Sequence, residues 1–125
     1  MIIAIDFDGT FVTHEYPKIG RTLENCIETV KKLQEKNHDI ILYTMRSGKE
    51  LQEAVDWCNE NEIILWGVNK NPSQSSWTKS PKVYAHIYID DAALGTPLDY
   101  YEDGTRPSVN WFEVEKMLRE RKFIN

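Results

Sequence analysis

The chain of 125 residues lacks several features that define whole classes of protein. It has no apolar stretch that approaches the length of a membrane span, and its N-terminus has neither a basic segment nor a small-residue cleavage site. Lysine and arginine are scattered, and the net charge is −5, which gives no general indication of nucleic-acid binding. From these absences we expect no membrane anchor, no signal peptide and a cytoplasmic location.

Cysteine is also scarce, and so are the marks of a multidomain chain. Cys26 and Cys58 are the only cysteines, and they lie far apart without the spacing of metal ligands. Both have apolar neighbours, so we expect buried, reduced thiols with no disulfide and no catalytic role. No internal repeat, low-complexity tract or linker interrupts the sequence. We therefore expect one domain over residues 1–125.

Short apolar runs alternate with amphipathic segments along most of the chain. The apolar runs predict buried strands, and apolar residues at three- and four-residue steps predict helices. We predict strands at residues 2–5, 40–43, 63–66 and 86–89, and helices at residues 22–36, 49–61 and from Ser108 or Asn110 onward. This alternation is typical of an α/β fold. We therefore predict a three-layer, doubly wound (Rossmann-like) parallel sheet of four to five strands with helices on both faces.

Some finer expectations follow from single residues. Thr22 is the expected N-cap of the first helix, and Ser80 is the expected cap of a short helical turn that starts at Pro81. A fifth strand is poorly marked, although a short edge strand is possible near residues 98–100. Residues 119–125 are expected to fray at the end of the last helix.

Two carboxylates follow the first predicted strand directly, in the stretch M-I-I-A-I-D-F-D-G-T. In parallel sheets the ligand site lies beyond the carboxyl ends of the strands, so Asp6 and Asp8 are expected at that edge. Gly9 permits a sharp departure of the backbone beside a ligand. Two close carboxylates repel one another unless a cation neutralises them, and Mg²⁺, which prefers oxygen ligands, is the simplest such cation.

Further polar residues follow two other strands at the same edge. Thr44 ends the second strand, with Arg46 and Ser47 behind it, and Asp90 and Asp91 follow the fourth. Carboxylates, a hydroxyl and a nearby lysine form a set that suits phosphoryl transfer, because a phosphate dianion must be neutralised by a cation and by fixed donors. A carboxylate can itself act as the nucleophile and form an aspartyl-phosphate.

These residues, in this order, resemble the motifs of the haloacid dehalogenase (HAD) superfamily of phosphohydrolases. D-F-D-G-T at residues 6–10 is similar to the first motif, D-x-D-x-T. Thr44 is similar to the second motif, and Asp90 with Asp91 is similar to the fourth. The resemblance covers residue 1 to about residue 91. It implies a Mg²⁺-dependent phosphatase that hydrolyses a phosphate monoester through an aspartyl-phosphate.

The resemblance also implies a role for each matching residue. Asp6 would be the nucleophile, and Asp8 would protonate the leaving oxygen and then deprotonate the attacking water. Asp6, the backbone carbonyl of Asp8 and Asp90 would hold Mg²⁺, and Asp91 would bind it through water or orient the lysine of the third motif. Thr44 would bind a phosphoryl oxygen.

The third motif is a single lysine, and the sequence offers more than one candidate. Lys82 is preferred to Lys79 because a helical turn fixes a donor better than a loop does. Arg46 could contact the substrate from the loop after Thr44, or it could form a surface ion pair. His14 lies in the connector after the first motif; a lone loop histidine is expected to be solvated, but its place near the acids keeps it a candidate.

The chain departs from most of these phosphatases in having no room for a cap domain. Residues 11–21 and 68–80 occupy the two points at which caps are inserted, and neither segment is long enough to fold as a domain. Capless members of the superfamily act on large substrates that cover the site, or they oligomerise so that a neighbour covers it. A large phosphorylated substrate or a second copy of the chain is therefore the expected partner.

Two other classes of function remain as alternatives. A binding or regulatory protein could keep the fold without turnover. A receiver-like phosphoacceptor domain also combines aspartates, threonine and lysine on a doubly wound sheet, but it needs its phosphoacceptor at the end of the third strand, where this chain has Trp66, Gly67 and Val68.

Overall fold

A parallel sheet of four strands forms the centre of the protein. The computed structural model describes residues 1–125, and its strands are β1 (Ile2–Ile5), β2 (Asp39–Leu42), β3 (Leu65–Val68) and β4 (Ile87–Ile89). The strands lie in the order β3-β2-β1-β4, and all three pairings are parallel. The strand that carries the first motif is therefore flanked on both sides, and its carboxyl end meets the carboxyl ends of β2 and β4.

Three helices cover one face of this sheet. They are α1 (Cys26–Glu35), α2 (Gly48–Glu60) and α3 (Trp111–Glu120). Because side chains alternate along a strand, Ile3 and Ile5 point toward the helices, and Ala4 points away from them. The main core joins this strand face to apolar residues from all three helices: Cys26, Val30, Leu33, Ala54, Cys58, Trp111, Val114 and Leu118. None of the helices is both long and apolar enough to pass through a membrane.

The opposite face of the sheet is covered mainly by the segment between β3 and β4. Val83 and Ala85 of this segment pack on Ala4 and Ile41, with Trp66 and Ile2 at the edge of the cluster. The segment contains only one turn of 3₁₀ helix, Gln74–Ser76. The predicted α/β sheet is confirmed, and its third layer is an irregular segment rather than a long helix.

A two-stranded antiparallel ribbon follows β4 and joins the chain's last third to its first motif. Its strands are β5 (Leu98–Asp99) and β6 (Ser108–Val109). The Val109 backbone N–H donates to the Gly9 carbonyl at 2.9 Å, and the Trp111 indole N–H donates to the Thr10 carbonyl at 2.6 Å. The strand expected near residues 98–100 therefore exists, but it belongs to this ribbon and not to the central sheet.

The start of α1 differs from the prediction. The helix begins at Cys26, because Thr22 pairs with Val12 in an isolated antiparallel bridge and the Leu23 N–H donates to the Phe11 carbonyl. Asn25, at the N-cap, has a φ of 65° and makes no side-chain capping bond. The threonine is thus used to close the connector after the first motif and not to cap the helix.

The third strand begins two residues later than predicted. The Ile63 N–H donates to the Cys58 carbonyl, so Ile63 is hydrogen-bonded to the last turn of α2 and is not part of the strand. Glu62 before it has a φ of 60°. Gly67 lies inside the strand instead of ending it. A side chain there would place its Cβ 2.3 Å from the Lys70 carbonyl oxygen, so the close approach of the following loop requires glycine.

Two expectations about irregular segments are wrong. No helical turn forms at Pro81, although the Ser80 hydroxyl accepts from the Lys82 N–H at 3.2 Å as a cap would. The C-terminus is not frayed, since Phe123 and Ile124 are buried. The Phe123 carbonyl oxygen also lies 2.8 Å from His38 Nε2, and this contact fastens the residues after α3 to the loop before β2.

Candidate active site

Three carboxylates meet where β1 and β4 end. Asp6 follows β1, and Asp90 and Asp91 follow β4. One oxygen from each lies within 4.8 Å of the others, which is close enough for all three to bind one cation. The sheet order explains the meeting, because β1 and β4 are adjacent and parallel, and the Asp6 N–H donates to the Ile89 carbonyl at 3.0 Å.

The electrostatics of this cluster favour a bound cation. Burial, reinforced by the charge of Asp90, raises the pKa of Asp6 to about 8. Burial also raises the pKa of Asp90, and the charge of Asp91 adds to that effect. The Thr10 hydroxyl is 3.1 Å from Asp6 and 3.4 Å from Asp91, but a hydroxyl does not cancel charge. A cluster of oxygen donors with uncompensated charge fits Mg²⁺, which would be held by Asp6, Asp90 and Asp91.

The side chain of Asp8 is directed away from this cluster by an arginine. Nε of Arg46 donates to Oδ2 of Asp8, and an Nη donates to Oδ1, both at 2.8 Å. This two-point contact is the geometry in which guanidinium binds carboxylate most strongly. The Asp8 carboxylate is consequently not among the three that form the carboxylate cluster. The metal contact that the resemblance implies for its backbone carbonyl remains a prediction.

Arg46 is buried, and each of its five N–H groups has an acceptor. Two donate to Asp8, and the other three donate to backbone carbonyls at 2.8–3.2 Å: those of Pro17, Lys18 and Glu50. The guanidinium also lies 5.1 Å from the ring centroids of Phe7 and Tyr16. The hydrogen bonding of the guanidinium to the Asp8 carboxylate is the main reason that the pKa of Arg46 is raised. The arginine therefore forms a buried ion pair, neither the surface pair nor the substrate contact considered from the sequence.

His14, which was expected to be solvated, lies in the site. Its Nε2 lies 2.8 Å from Oδ2 of Asp91, and its side chain is mostly buried instead of solvated. The histidine lies over Gly9, whose φ is +81°, and a Cβ at Gly9 would fall 2.1 Å from His14 Nε2. The absence of a side chain at residue 9 was the available signal, because it shows that another group must approach the turn closely.

An open cavity of about 460 Å³ lies above the carboxylates. Its lining comes from the first motif, the connector, the loop after β2, the turn after β4 and the ribbon: Asp6, Asp8, His14, Tyr16, Thr44, Met45, Arg46, Asp90, Asp91, Ala92 and Arg106. Thr44 reaches it as predicted, and its hydroxyl oxygen accepts from the Arg46 backbone N–H at 3.1 Å. The hydroxyl proton of Thr44 is therefore free to donate into the cavity.

No lysine lines this cavity. The ammonium of Lys82 lies 5.6 Å from the centroid of the Tyr88 ring and lines a different cavity, and Lys79 lines a third. The reason is local: without a helical turn at Pro81, the segment before β4 runs across the sheet face and carries both lysines away from the carboxylates. The structure thus brings together Asp6, Asp8, Thr44, Arg46, Asp90 and Asp91, but not the predicted lysine.

The cysteines lie away from this site, as expected. Cys26 and Cys58 are both free and buried. Burial raises the pKa of Cys58 to about 12 and the pKa of Cys26 well above its ordinary value. Thiols held in the neutral form are poor nucleophiles and poor metal ligands, so these residues serve the core.

The parallel sheet and the carboxylate cluster at its carboxyl edge define an α/β protein with an acidic site suited to a divalent cation. Comparison with known proteins makes the class specific. The family model of the haloacid dehalogenase-like hydrolases matches residues 3–121, and the chain belongs to this family. The resemblance found in the motifs is thereby confirmed. The segments at both cap positions are short in the structure, in agreement with a capless member.

One solved structure is similar over nearly the whole chain. It is that of a conserved protein coded by a locus from Bacteroides thetaiotaomicron, which is 35% identical with a TM-score of 0.79. The match covers 97% of this chain and 91% of that one. No curated protein matches the chain.

Proposed function

We propose that the protein is a Mg²⁺-dependent phosphomonoesterase that works through an aspartyl-phosphate on Asp6. The observation that carries this proposal is the grouping of Asp6, Asp90 and Asp91 within 4.8 Å at the carboxyl edge of the sheet. Asp8 lies beside the same cavity but is kept apart from the cluster. This separation supports different tasks for the two carboxylates of the first motif, and membership of a hydrolase family supports the assignment.

The first half of the reaction is transfer of the phosphoryl group to Asp6. A carboxylate oxygen of Asp6 attacks phosphorus, and the bond from phosphorus to the ester oxygen breaks as Asp8 gives that oxygen a proton. Asp6 must be ionised to attack, although its pKa is raised to about 8. A bound Mg²⁺ would supply the positive charge that keeps Asp6 ionised and offsets the charge of the phosphate. Thr44 would donate its hydroxyl proton to a phosphoryl oxygen.

The second half of the reaction is hydrolysis, and it explains the position of Asp8. Asp8 takes a proton from water, the water oxygen attacks phosphorus, and the bond from phosphorus to Asp6 breaks to release phosphate. The contact with Arg46 holds the Asp8 carboxylate beside the cavity, where it can accept this proton. In the first half, Asp8 must instead carry the proton that it gives to the leaving oxygen.

A turnover assay with one matched pair of variants tests this function. Purified protein with Mg²⁺ is screened against sugar phosphates, nucleotides, phosphorylated ends and a generic aryl phosphate. We expect release of phosphate by the wild type, loss of release in Asp6→Asn, and little change in Asp56→Asn, whose carboxylate is exposed on α2. Acid quenching during turnover should leave phosphate bound to the wild type and not to Asp6→Asn.

The absence of turnover on every ester would favour the alternative of a HAD-fold binding or regulatory protein. The receiver-like alternative has less support, because β3 is followed by Asn69 rather than by a carboxylate. The Asn69 side chain is also occupied, since its oxygen accepts from the Thr44 N–H at 2.7 Å.

The cavity above the carboxylates is open, so the chain itself does not cover the site. We propose a large phosphorylated substrate or a second copy of the chain as the cover, because both cap positions hold only short segments. Light scattering or sedimentation distinguishes the two possibilities. A monomer in solution favours the large substrate, and a dimer that is needed for activity favours the second copy.

A further inference from the structure

The proposed phosphatase site has no lysine with which to bind the substrate's phosphate. Lys82 and Lys79 both line other cavities. A cluster of acidic residues repels an approaching dianion even when one divalent cation is bound, so a side-chain cation at the mouth of the cavity would favour binding. Two arginines, Arg46 and Arg106, line the cavity and are the candidates for this task.

Arg46 has no donor to spare. Its five N–H groups already donate to Asp8 and to three backbone carbonyls, and its guanidinium is buried. Binding phosphate would require it to abandon buried carbonyls, each of which would lose its partner. Its charge is also balanced by Asp8 at 2.8 Å.

Arg106 differs from Arg46 in each of these respects. It lines the cavity, its side chain is exposed, and it takes part in none of the protein's ion pairs. Its guanidinium is therefore not paired with a carboxylate, although the cavity that it lines is acidic. An arginine can present two parallel N–H donors to a phosphate group, which is the geometry that phosphate recognition uses most often.

The backbone around Arg106 is attached to the first motif. Arg106 lies two residues before β6, which pairs with β5. The Val109 N–H donates to the Gly9 carbonyl at 2.9 Å, and the Trp111 indole donates to the Thr10 carbonyl at 2.6 Å. The residues that follow the arginine are thus held against the turn that follows Asp8, although they are far from it in sequence.

We propose that Arg106 binds the phosphate dianion of the substrate, in place of the lysine that the sequence motif led us to expect. The inference rests on the proposed phosphomonoesterase function and adds to it a residue from outside the motifs. Because Arg106 approaches from the mouth and forms no ion pair with Asp6, it contributes to substrate binding more than to the chemical step. The substrate enters with its phosphate between the ribbon and the carboxylates.

Steady-state kinetics of single variants test this proposal. With any ester that the wild type hydrolyses, we expect Arg106→Ala to raise KM about 10- to 100-fold with a much smaller change in kcat. Inorganic phosphate, the common product, should become a weaker competitive inhibitor by a similar factor. Arg106→Lys should recover part of both losses, which a purely structural role would not explain. Arg119→Ala, on the exposed side of α3, is the matched control and should change neither constant.

The same assay separates failure of this proposal from failure of the proposed function. If wild-type turnover is abolished by Asp6→Asn while Arg106→Ala has the KM and phosphate inhibition of the wild type, the arginine assignment is wrong and the phosphatase stands. If Lys82→Ala raises KM where Arg106→Ala does not, the lysine fills the role after all. If no ester is hydrolysed, isothermal titration of the Mg²⁺-loaded protein with inorganic phosphate still tests Arg106, and equal affinity for wild type and Arg106→Ala overturns the assignment.

Discussion

At the scale of single residues, the arrangement of the site depends on how Asp8 is held. Arg46 binds both oxygens of this carboxylate and three carbonyls from two other segments. The sequence indicated an arginine near the site, but it could not show that every donor would be satisfied inside the protein. That outcome depends on the folding of the connector and of α2 around the guanidinium, which no local pattern encodes.

Replacing Arg46 should destabilise the protein strongly. Arg46→Ala leaves the Asp8 carboxylate and three carbonyls without their donor, and we expect a loss of about 3–5 kcal/mol in the free energy of unfolding. Arg46→Lys keeps the charge but not the two-point contact, so it should recover only part of this loss. Urea denaturation measures both, with Arg119→Ala as a control that should cost less than about 1 kcal/mol because Arg119 is exposed. Wild-type stability in Arg46→Lys would contradict the assigned role.

A pair of glycines separates backbone strain from the close approach of His14. Gly9 and Gly104 have φ values of 81° and 88°, but a Cβ at Gly104 meets nothing within 4 Å, whereas at Gly9 it meets His14 and Asp91. Gly104→Ala should lose about 1 kcal/mol from strain alone. Gly9→Ala should lose about 1–3 kcal/mol more and should also lose the proposed phosphatase activity. Equal stabilities of the two variants would show that His14 moves aside at little cost.

At the scale of elements, the sequence was most informative where an element had a complete apolar pattern. The positions of β1, β2, α2 and β4 follow from their apolar periodicity to within one or two residues. The α3 start also agrees, because the Asn110 side chain accepts from the Glu113 N–H and caps the helix. Asp6, Thr44 and Asp90 follow the ends of these strands, so the carboxylate cluster and the position of Thr44 were predictable.

The remaining elements were misplaced because tertiary contacts override local signals there. Thr22 has a capping side chain but is taken into a bridge with Val12. Ser80 and Pro81 form the signal for a helix start, but Val83 and Ala85 must extend across the sheet to cover it. For that reason Lys82 lines another cavity, and neither Arg106 nor His14 could be singled out by a motif, because no motif includes them.

The end of α3 offers a test of packing that the sequence did not suggest. Phe123 is buried at 8% exposure, whereas Phe112 on the outer side of α3 is 51% exposed. We expect Phe123→Ala to lower the free energy of unfolding by about 3 kcal/mol. The same substitution at Phe112 should change it by no more than about 0.5 kcal/mol. Equal and small effects in urea denaturation would mean that residues after α3 are frayed in solution.

At the scale of the whole molecule, the acidic cluster couples stability to pH and to metal. The pKa of Asp6 is raised from 3.8 to about 8, so between these values the native state binds more protons than the unfolded chain. Stability of the metal-free protein should therefore fall as pH rises through this window, by at most about 1.4 kcal/mol per pH unit for the one proton. Asp90, whose pKa is also raised, acts in the same direction.

Urea denaturation at several pH values, with EDTA or with millimolar Mg²⁺, measures this coupling. We expect the metal-free wild type to be less stable at pH 8 than at pH 5. We also expect Mg²⁺ to stabilise the protein more at the higher pH, because a larger fraction of Asp6 is ionised there and can bind the metal. Asp6→Asn should flatten the pH dependence and weaken the response to Mg²⁺. Glu115, whose pKa is lowered to about 2, contributes to the pH dependence only at the acid end. If the metal-free protein gains stability toward pH 8, the burial of Asp6 is not the dominant cause of the pH dependence of its stability.

The pairing of the first strand with the last strand of the sheet has a consequence for biosynthesis. The ribosome makes Asp6 before its partners on β4, and the ribbon that docks on Gly9 and the indole of Trp111 emerge later still. Until then β1 can pair only with β2, and the nascent chain presents a bare acidic loop. The carboxylate cluster therefore cannot form until β4 has left the ribosome, and its supports on Gly9 and Thr10 are added only after the ribbon and α3 follow.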